Sequence, residues 1–354
     1  MKKSLTHVRI VGAGLIGTSI ALALRSSGIS VTLNDSDSRA LSLARDLMGE
    51  QKAQVDAFED LCIIATPPEA ISMVISQELT RNASLKVMEI SSIKTKPLLD
   101  VSKSGFSLSY FAPTHPMAGR EVSGPESARG DLFEGRPWIL CLEGVDPALA
   151  TMVREVVDIC GAIPLSRTVE EHDRAVALVS HLPQIVASLL AGQLVNGDGR
   201  DLELAGAGLR DTTRIADSDP ELWAQILAGN SSALKPLLIS LQNDLSRAIE
   251  RIDNPAAMGE LIAEGQRGRS LIPGKHGGKA RNYTYLAIVI DDKPGQLAAI
   301  IKACAAAQVN IEDLAIEHTP GQQTGLITLA FSPEDSALVA AHLEKEGWKV
   351  HPSR

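Results

Sequence analysis

Short apolar runs alternate with segments of helical period in the first half of the chain. The run His7–Val11 is followed by three glycines, and apolar positions from Thr18 to Arg25 then recur at the spacing of a helix. Further apolar runs of strand length occupy residues 30–33, 61–65, 86–90, 138–142 and 162–165. This alternation predicts a parallel sheet with helices on its faces, extending to about residue 166.

From Thr168 onward the pattern is helical only. Thr168 and Glu171 match a capping box, and helical period continues through AVALVSHLPQIVASLLAGQLV, where Pro183 predicts a kink. Two further helical stretches lie within residues 219–252. Residues 167–272 are therefore predicted to form an all-helical domain. Its apolar surface exceeds what a small bundle buries, which predicts a homodimer.

The last part of the chain begins with an irregular segment. Residues 265–282, EGQRGRSLIPGKHGGKAR, combine glycines and basic side chains without a period, which is typical of a linker. From residue 283 to 354, the pattern gives a strand, a helix, two strands, a helix and a short final strand at Trp348–His351. This order predicts a small α+β module.

Composition excludes several classes of partner. The chain has 354 residues, 44% of them apolar, with 34 Lys and Arg against 43 Asp and Glu, and this acidity argues against nucleic acid or a membrane surface. The four cysteines lack CxxC spacing, which favours a reduced compartment, and no metal site is predicted. The apolar run at residues 10–24 resembles a signal peptide, but it is too short to span a bilayer and contains three glycines. A cytoplasmic protein is therefore predicted.

The glycines after the first apolar run indicate a phosphate-binding turn. In GAGLIG, Gly12 permits the tight turn, Gly14 lets a pyrophosphate approach the backbone, and Gly17 lets helix and strand pack closely. Asp35 follows the second strand, where a carboxylate accepts ribose hydrogen bonds and repels the 2′-phosphate of NADP, although it could be an ordinary turn residue. We therefore predict a Rossmann-type, doubly wound domain that binds NAD. The predicted cofactor-binding residues are Gly12, Gly14, Leu15, Ile16, Gly17, Asp35, Thr66 and Ser91.

Longer segments of the sequence resemble a known family. GAGLIG, ISSIK, THPMAGREVSG, SHLPQ and GLRDTTRIADSDPELW, in this order, resemble the prephenate and arogenate dehydrogenases of tyrosine biosynthesis. The tail, with DKPGQL and VNIEDL, is similar to an ACT domain, a ferredoxin-like module that commonly binds amino acids. The resemblance covers almost the whole chain. It implies a dinucleotide-binding domain at 1–166, a helical dimerisation and substrate-binding domain at 167–272, and a regulatory domain at 283–354.

The resemblance also implies a reaction and its residues. The reaction is the NAD-dependent oxidative decarboxylation of prephenate to 4-hydroxyphenylpyruvate. His115 matches the family's catalytic histidine, which accepts the proton of the substrate hydroxyl, and Ser92 matches a serine in the same hydrogen-bond network. Arg214 matches an arginine that binds a substrate carboxylate. His181 matches a second active-site histidine, although a hydrogen-bonded core histidine is the alternative. The remaining predicted substrate-binding residues are Glu121 and Arg210.

Several alternatives and finer predictions accompany this assignment. Arogenate dehydrogenase differs only by an amino group on the substrate side chain, and a non-catalytic sensor of NAD and amino acids is a second alternative. Pro116 and Gly119 predict a loop that holds the imidazole of His115, and His172 and His276 are predicted at the surface. The tail is predicted to bind an amino-acid effector, L-tyrosine first, or else only to mediate oligomerisation. Its predicted effector-binding residues are Asp292, Pro294, Gly295, Gln296, Leu297 and Asn310.

Overall fold

The computed structural model describes residues 4–49, 59–119, 124–272, 283–291, 293–318 and 324–352. Two compact units are present, Met1–Asp244 and Leu245–Arg354. Three residues singled out in the sequence, Glu121, His276 and Asp292, lie outside the described residues.

The first unit is built on a mostly parallel sheet. Its strands are β1 (His7–Val11), β2 (Ser30–Asn34), β3 (Leu61–Ile64), β4 (Val87–Glu89), β5 (Phe111–Pro116), β6 (Pro137–Leu140) and β7 (Ile163–Ser166). Within the described residues their order is β2-β1-β3-β4-β5-β6-β7, and β5 and β6 are the antiparallel pair. The helices of this part are α1 (Leu15–Ser26), α2 (Ser38–Met48), α3 (Ile71–Arg81), α4 (Thr95–Lys103) and α5 (Pro147–Ile159).

Helices cover both faces of this sheet. In β3, Leu61 and Ile63 belong to an apolar cluster with α1, α2 and α5, whereas Cys62 and Ile64 belong to a second cluster with α3 and α4. All four side chains are buried. A strand that is covered on both faces has a continuous apolar sequence, which is why these strands could be found by eye. The arrangement confirms the predicted Rossmann-type, doubly wound fold.

The glycine turn lies between β1 and α1, where the strand order reverses. Gly12 has a φ of +113°, and a Cβ there would overlap the carbonyl group of Ala65. A Cβ at Gly17 would overlap the carbonyl oxygen of Gly12, so helix and strand pack as closely as predicted. At Gly14, in contrast, no described atom lies within 4 Å of the Cβ position. Backbone atoms therefore fill the space beside Gly12 and Gly17, whereas the space beside Gly14 is open.

The rest of the first unit is helical. The helices are α6 (Val169–Val176), α7 (Leu182–Gln193), α8 (Gly199–Leu202), α9 (Ala207–Thr213), α10 (Pro220–Gly229) and α11 (Ser231–Glu250), the last of which continues beyond residue 244. The predicted capping box is present, with reciprocal hydrogen bonds between Thr168 and Glu171. A π-helical turn at Ala177–His181 precedes α7, and Pro183, where a kink was predicted, lies in the first turn of α7.

Two apolar segments differ in how much of their surface is buried in the described structure. The run that resembled a signal peptide forms α1, whose Ile20 and Leu24 are buried in the core. The helical segment Val169–Asn196 is long and apolar enough to cross a membrane. In contrast to α1, only 28% of its most apolar window is buried. Leu178, Val179 and Leu189 on this segment are more than half exposed. Apolar surface of this kind is typical of a protein interface, as the predicted dimer requires.

The second unit contains the predicted α+β module. Its elements after the end of α11 are α12 (Pro255–Ser270), β8 (Thr284–Asp291), α13 (Gln296–Ala306), β9 (Asp313–His318), β10 (Thr324–Phe331), α14 (Pro333–Lys345) and β11 (Lys349–Pro352). The sheet is antiparallel with the order β11-β8-β10-β9. Ile288, Ile300, Leu329 and Leu343 form its core. This β-α-β-β-α-β order is ferredoxin-like, as predicted.

The prediction of a linker at residues 265–282 was wrong for residues 265–270. Helix α12 extends to Ser270, so residues 265–270 are helical. The helix has a strong start, because the Asn254 side chain accepts hydrogen bonds from the N–H groups of Ala256 and Ala257. Glycines at 265 and 268 weaken a helix without ending it.

Candidate active site

Asp35 follows β2 and is hydrogen-bonded to the glycine turn. Its Oδ2 accepts a hydrogen bond from the Ala13 N–H at 2.5 Å, and its Oδ1 accepts one from the Asp37 N–H at 2.7 Å. Each carboxylate oxygen can accept two hydrogen bonds, so each retains a lone pair for a ribose hydroxyl. The carboxylate is therefore fixed at the end of the second strand, where the sequence placed it.

Two buried polar atoms beside this turn lack partners in the described structure. They are Oδ1 of Asn34, at the end of β2, and Oγ1 of Thr66, two residues after β3. A buried polar atom without a partner costs about 1 to 3 kcal/mol, so such atoms point to a ligand that would bind them. Together with the open space over Gly14, they fit a dinucleotide at the carboxyl ends of β1, β2 and β3.

The turn between β4 and α4 is held by a buried ion pair. Nζ of Lys94 contacts Oε2 of Glu89, and both side chains are fully buried. Glu89 also accepts a hydrogen bond from the Ser91 N–H, and Ser91 Oγ donates to the carbonyl of Ile93 at 2.8 Å. Buried charges persist when they are paired and hydrogen-bonded, so this pair fixes the shape of the ISSIK segment. Ser92 is partly buried in the same turn.

His115 lies in a strand and not in a loop, so the loop predicted from Pro116 and Gly119 was wrong for this residue. His115 pairs with Ile139 in the antiparallel ladder of β5 and β6. Pro113 and Pro116 concealed the strand, because proline cannot donate a ladder hydrogen bond and is rare inside sheets. Since β5 runs parallel to β4, His115 reaches the edge of the sheet where the ISSIK turn begins.

His172 is buried, so its predicted surface position was wrong. Its ring has no exposed surface, its Nε2 lies 2.8 Å from Nδ1 of His115, and its Nδ1 lies 2.8 Å from Oδ1 of Asp173. The two imidazole rings meet edge to face with centroids 5.1 Å apart. The charged run EEHDR suggested a solvated helix face, but α6 packs on α4, and its His172, Asp173 and Val176 are buried.

Asp173 connects α6 to the first turn of α4. Its Oδ1 accepts a hydrogen bond from the Lys94 N–H at 2.9 Å, and its Oδ2 accepts one from the Thr95 N–H at 2.8 Å. The first turn of a helix leaves such groups without intrahelical partners and favours an anion. Asn230, which follows α10, donates from Nδ2 to the Asp173 carbonyl oxygen at 2.8 Å, and its Nδ2 lies 3.1 Å from Nδ1 of His181.

The electrostatics of this cluster favour neutral imidazoles beside an ionised carboxylate. Burial lowers the pKa of His115 well below its ordinary 6.5, and positive charge on His172 or Lys94 acts in the same direction. Burial also lowers the pKa of His172, although Asp173 opposes this, and it lowers the pKa of His181 to about 4. Burial by itself raises the pKa of Asp173, but hydrogen bonds from His172 and from α4 outweigh burial and lower it.

The predicted base His115 and the described substrate-binding residues fall into two groups. His115 and His181 belong to one hydrogen-bonded cluster, joined through His172, Asp173 and Asn230. The other group comprises exposed arginines of the helical segment: Arg210 lies on α9, and Arg214 begins a short 3₁₀ turn that packs on α7, the helix after His181.

Four residues of this cluster were not predicted from the sequence as part of the site: Glu89, His172, Asp173 and Asn230. A signal for two of them was present. Positions 169, 172, 173, 176, 177 and 181 follow helical spacing, so His172 and Asp173 fall on the same buried stripe as Val176 and His181. A histidine and an aspartate on the apolar stripe of a helix indicate a buried polar site.

Comparisons with known proteins place the chain in one family. Residues 20–164 match the family model of the prephenate dehydrogenase nucleotide-binding domain, and residues 168–263 match that of its dimerization domain. The probable prephenate dehydrogenase NovF of Streptomyces niveus is 32% identical over 97% of this chain and 98% of its own length.

Solved structures give the same result over about three quarters of the chain. A prephenate dehydrogenase of A. aeolicus in complex with hydroxyphenyl propionate and NAD+ is 27% identical, with a TM-score of 0.67, covering 76% of this chain and 99% of that one. A Synechocystis arogenate dehydrogenase is also 27% identical, with a TM-score of 0.62 over 75% of this chain and 99% of that one. These matches confirm a dehydrogenase with NAD as cofactor. The chain belongs to the prephenate dehydrogenase family.

Proposed function

We propose that this chain catalyses the NAD-dependent oxidative decarboxylation of prephenate to 4-hydroxyphenylpyruvate, with His115 as the base. The observation that carries the proposal is the position of the His115 imidazole, at the same edge of the sheet as the glycine turn. The carboxyl ends of the parallel strands β1, β3, β4 and β5 lie at this edge, and they present Gly14, Thr66, Ser92 and His115. Ligands of open α/β sheets bind at such edges.

The base acts on the hydroxyl at ring carbon C4 of prephenate. NAD supplies a hydride acceptor when it is bound. His115 accepts the hydroxyl proton as the C4 hydride leaves, Ser92 hydrogen-bonds the same oxygen, and the resulting ketone loses carbon dioxide to become aromatic. A neutral imidazole suits this task because it can accept a proton at physiological pH.

The substrate has two carboxylates and therefore requires cations in an acidic protein. We assign one carboxylate to Arg214, whose planar guanidinium can form a bidentate pair. Arg210 lies one helical turn before Arg214 and is proposed to support the same anion. His181 is proposed to contact the substrate from the start of α7, and Glu121, which lies outside the described residues, is also proposed to bind the substrate.

Arogenate is the second candidate substrate, because the similar Synechocystis structure is an arogenate dehydrogenase. The test measures NADH formation with prephenate and with arogenate in parallel, each with NAD and with NADP. We expect the highest kcat/KM with prephenate and NAD. A higher kcat/KM with arogenate would identify the protein as an arogenate dehydrogenase. Tight binding of NAD without turnover of either compound would identify it as a non-catalytic sensor.

Asp35→Ser is expected to narrow the preference for NAD over NADP. The carboxylate follows β2, where Rossmann-type domains bind the adenosine ribose, and its removal is expected to relieve a repulsion of the NADP 2′-phosphate that is worth roughly ten-fold in the ratio of kcat/KM values. The matched control is Asp37→Ser, which removes the neighbouring carboxylate that caps α2. If the wild type already prefers NADP, or if both variants change the ratio equally, Asp35 does not select the cofactor.

We further propose the domain boundaries 1–166, 167–272 and 283–354, a homodimer and a cytoplasmic location. The match to a dimerization domain and the exposed apolar side chains of α7 support pairing of two copies through the helical segment. The acidic composition and the buried, free cysteines support a reduced compartment.

We also propose that the C-terminal module is an ACT-like domain that binds L-tyrosine at the turn between β8 and α13. Gly295 there has a φ of +91°, and no described atom lies within 4 Å of its Cβ position. Pro294 and Leu297 in this turn are exposed, as is Asn310. The turn is therefore an open backbone site at a helix N-terminus, to which an amino-acid carboxylate could bind.

Gly295→Val is expected to abolish the response of the full-length enzyme to L-tyrosine. A branched side chain would strain the left-handed backbone and fill the open space over the turn. Gly347→Val is the matched control, because Gly347 has the same φ of +91° and the same open space elsewhere in the module. Activity is measured as a function of L-tyrosine concentration, with phenylalanine and tryptophan as comparison ligands. The same measurement is made on a chain truncated after residue 272. If none of the three amino acids changes the activity of the full-length enzyme, the C-terminal module does not regulate it, and oligomerisation is its remaining proposed role.

A further inference from the structure

Three side chains form a chain of hydrogen bonds that begins at the predicted base: His115, His172 and Asp173. Each is joined to the next by a hydrogen bond of 2.8 Å. We propose that His172 and Asp173 are positioning residues that fix the tautomer of His115, so that its Nε2 is the unprotonated nitrogen, and that His172 shares the proton which His115 accepts. This inference rests on the proposed role of His115 as the base.

The order of donors and acceptors starts at Asp173. Both of its oxygens already accept backbone N–H groups of the first turn of α4. These bonds stabilise the carboxylate form, and a carboxylate only accepts hydrogen bonds. The proton in the bond between His172 and Asp173 therefore belongs to Nδ1 of His172.

The remaining protons follow from this one. A neutral imidazole has one N–H and one lone pair. Because Nδ1 of His172 holds the proton, its Nε2 is an acceptor, and Nδ1 of His115 must donate to it. The lone pair of His115 is then on Nε2, which is free to accept the proton of the substrate. Among the described residues, the hydrogen bond to His172 is the one that selects this tautomer, and a His115 protonated at Nε2 could not act as the base.

The hydrogen bonds that join His115, His172 and Asp173 can also move positive charge away from the substrate. The O–H bond of the substrate breaks and an Nε2–H bond forms on His115. The proton on Nδ1 of His115 can then pass to Nε2 of His172, which leaves His115 neutral and His172 with two N–H groups. His172 now carries the positive charge, and the carboxylate of Asp173 balances it at 2.8 Å.

The charges around this chain of hydrogen bonds permit the transfer. Lys94 faces both imidazoles and disfavours their charged forms, but its ammonium is paired with Glu89. The third nearby imidazole, His181, lies on the other side of Asp173 and favours its neutral form. Cys141 also lies in the field of Lys94 and Asp173, and burial raises the pKa of its thiol to about 11, so it stays protonated. Asp173 is thus the unpaired anion that faces His172.

A metal site does not explain the arrangement. The two imidazole nitrogens lie 2.8 Å apart, which is hydrogen-bond distance and leaves no space for a bridging ion. Among the described residues, no group of three or more His, Cys, Asp and Glu side chains has the geometry to hold a metal ion.

The tautomers can be read directly from the wild-type protein, without turnover. Imidazole ¹⁵N chemical shifts and long-range ¹H–¹⁵N couplings distinguish the two neutral forms, and His115→Asn and His172→Gln assign the signals. We expect His115 and His172 both to carry their proton on Nδ1. A neutral His115 protonated at Nε2, or an exchanging mixture of the two forms, would overturn the proposal even if His115 proved to be the base.

A pair of amide variants separates the contacts of His172 in the full-length enzyme. The carbonyl oxygen of glutamine in His172→Gln can replace Nε2 and accept from His115, whereas the shorter His172→Asn can replace only Nδ1 and contact Asp173. We expect His172→Asn to lower kcat about 10²-fold, with the KM for prephenate within about two-fold of the wild type. His172→Gln should recover at least about ten-fold of that loss, and the acid limb of its kcat profile should move relative to the wild type.

A double variant tests whether His172 acts through His115. In the His115→Asn background, the further change His172→Asn should lower kcat by less than about two-fold, because no imidazole remains to be oriented. His7→Phe is the control for loss of a buried histidine, since Nε2 of His7 bonds Thr32 between β1 and β2. Equal kcat values for His172→Asn and the wild type, or a full second loss in the double variant, would contradict the proposal. If His115→Asn itself is active, the proposed base is wrong, which is a distinct outcome.

Discussion

His115→Asn is expected to lower kcat by about 10²- to 10⁴-fold, the usual range for the loss of a positioned base. The asparagine can still bond the substrate hydroxyl, but it cannot accept its proton. The Kd for NAD should stay within about two-fold of the wild type, because none of the contacts of the glycine turn involves His115. Steady-state kinetics and a binding titration with NAD measure both quantities.

The pH profile of the wild type provides an independent check of this assignment. Burial lowers the pKa of His115, so the neutral, active form persists as the pH falls below 6.5. The acid limb of kcat/KM should therefore lie below that value and should be absent from the residual activity of His115→Asn. Near-normal turnover in the variant would exclude His115 as the base.

Arg214→Ala is expected to raise the KM for prephenate with a smaller effect on kcat. Removal of one partner of a dehydrated charge pair costs about 2 to 5 kcal/mol. Arg214 is exposed in the described chain, and solvent weakens such pairs, so we expect the lower end, about 2 kcal/mol or 30-fold in KM. Arg214→Lys should recover part of this loss, because it keeps the charge but not the bidentate geometry.

Arg200→Ala is the matched control for the arginine experiment. Arg200 lies on the neighbouring helix α8, and its side chain is 86% exposed and paired with Asp198. Its removal should leave the KM for prephenate unchanged. If Arg214→Ala lowers kcat alone while KM stays constant, Arg214 does not bind a substrate carboxylate.

The doubly wound sheet could be predicted because burial on both faces leaves a clear trace in the sequence. Strand β1 was predicted at its observed bounds, and the ends of β2 and β3 differed by one residue. The glycine turn was predictable for a similar reason, since Gly12 and Gly17 occupy positions where a Cβ would overlap backbone. These features depend on residues that are close in the sequence.

Features that depend on distant residues could not be predicted in this way. Strand β5 contains two prolines and is defined by its pairing with β4 and β6, so His115 was placed in a loop. His172 follows two glutamates, and although its place on the buried stripe of α6 indicates burial, its hydrogen bond to His115 joins residues 57 positions apart. The hydrogen bonds from α4 to Asp173 join residues nearly eighty positions apart. No local pattern specifies such contacts.

The most direct test of the proposed function is a product balance for the wild-type protein with prephenate and NAD. The account predicts one NADH, one carbon dioxide and one 4-hydroxyphenylpyruvate for each prephenate consumed, with His115→Asn forming all three at the same reduced rate. NADH formed without carbon dioxide, or no NADH from prephenate under conditions where NAD is shown to bind, would contradict it.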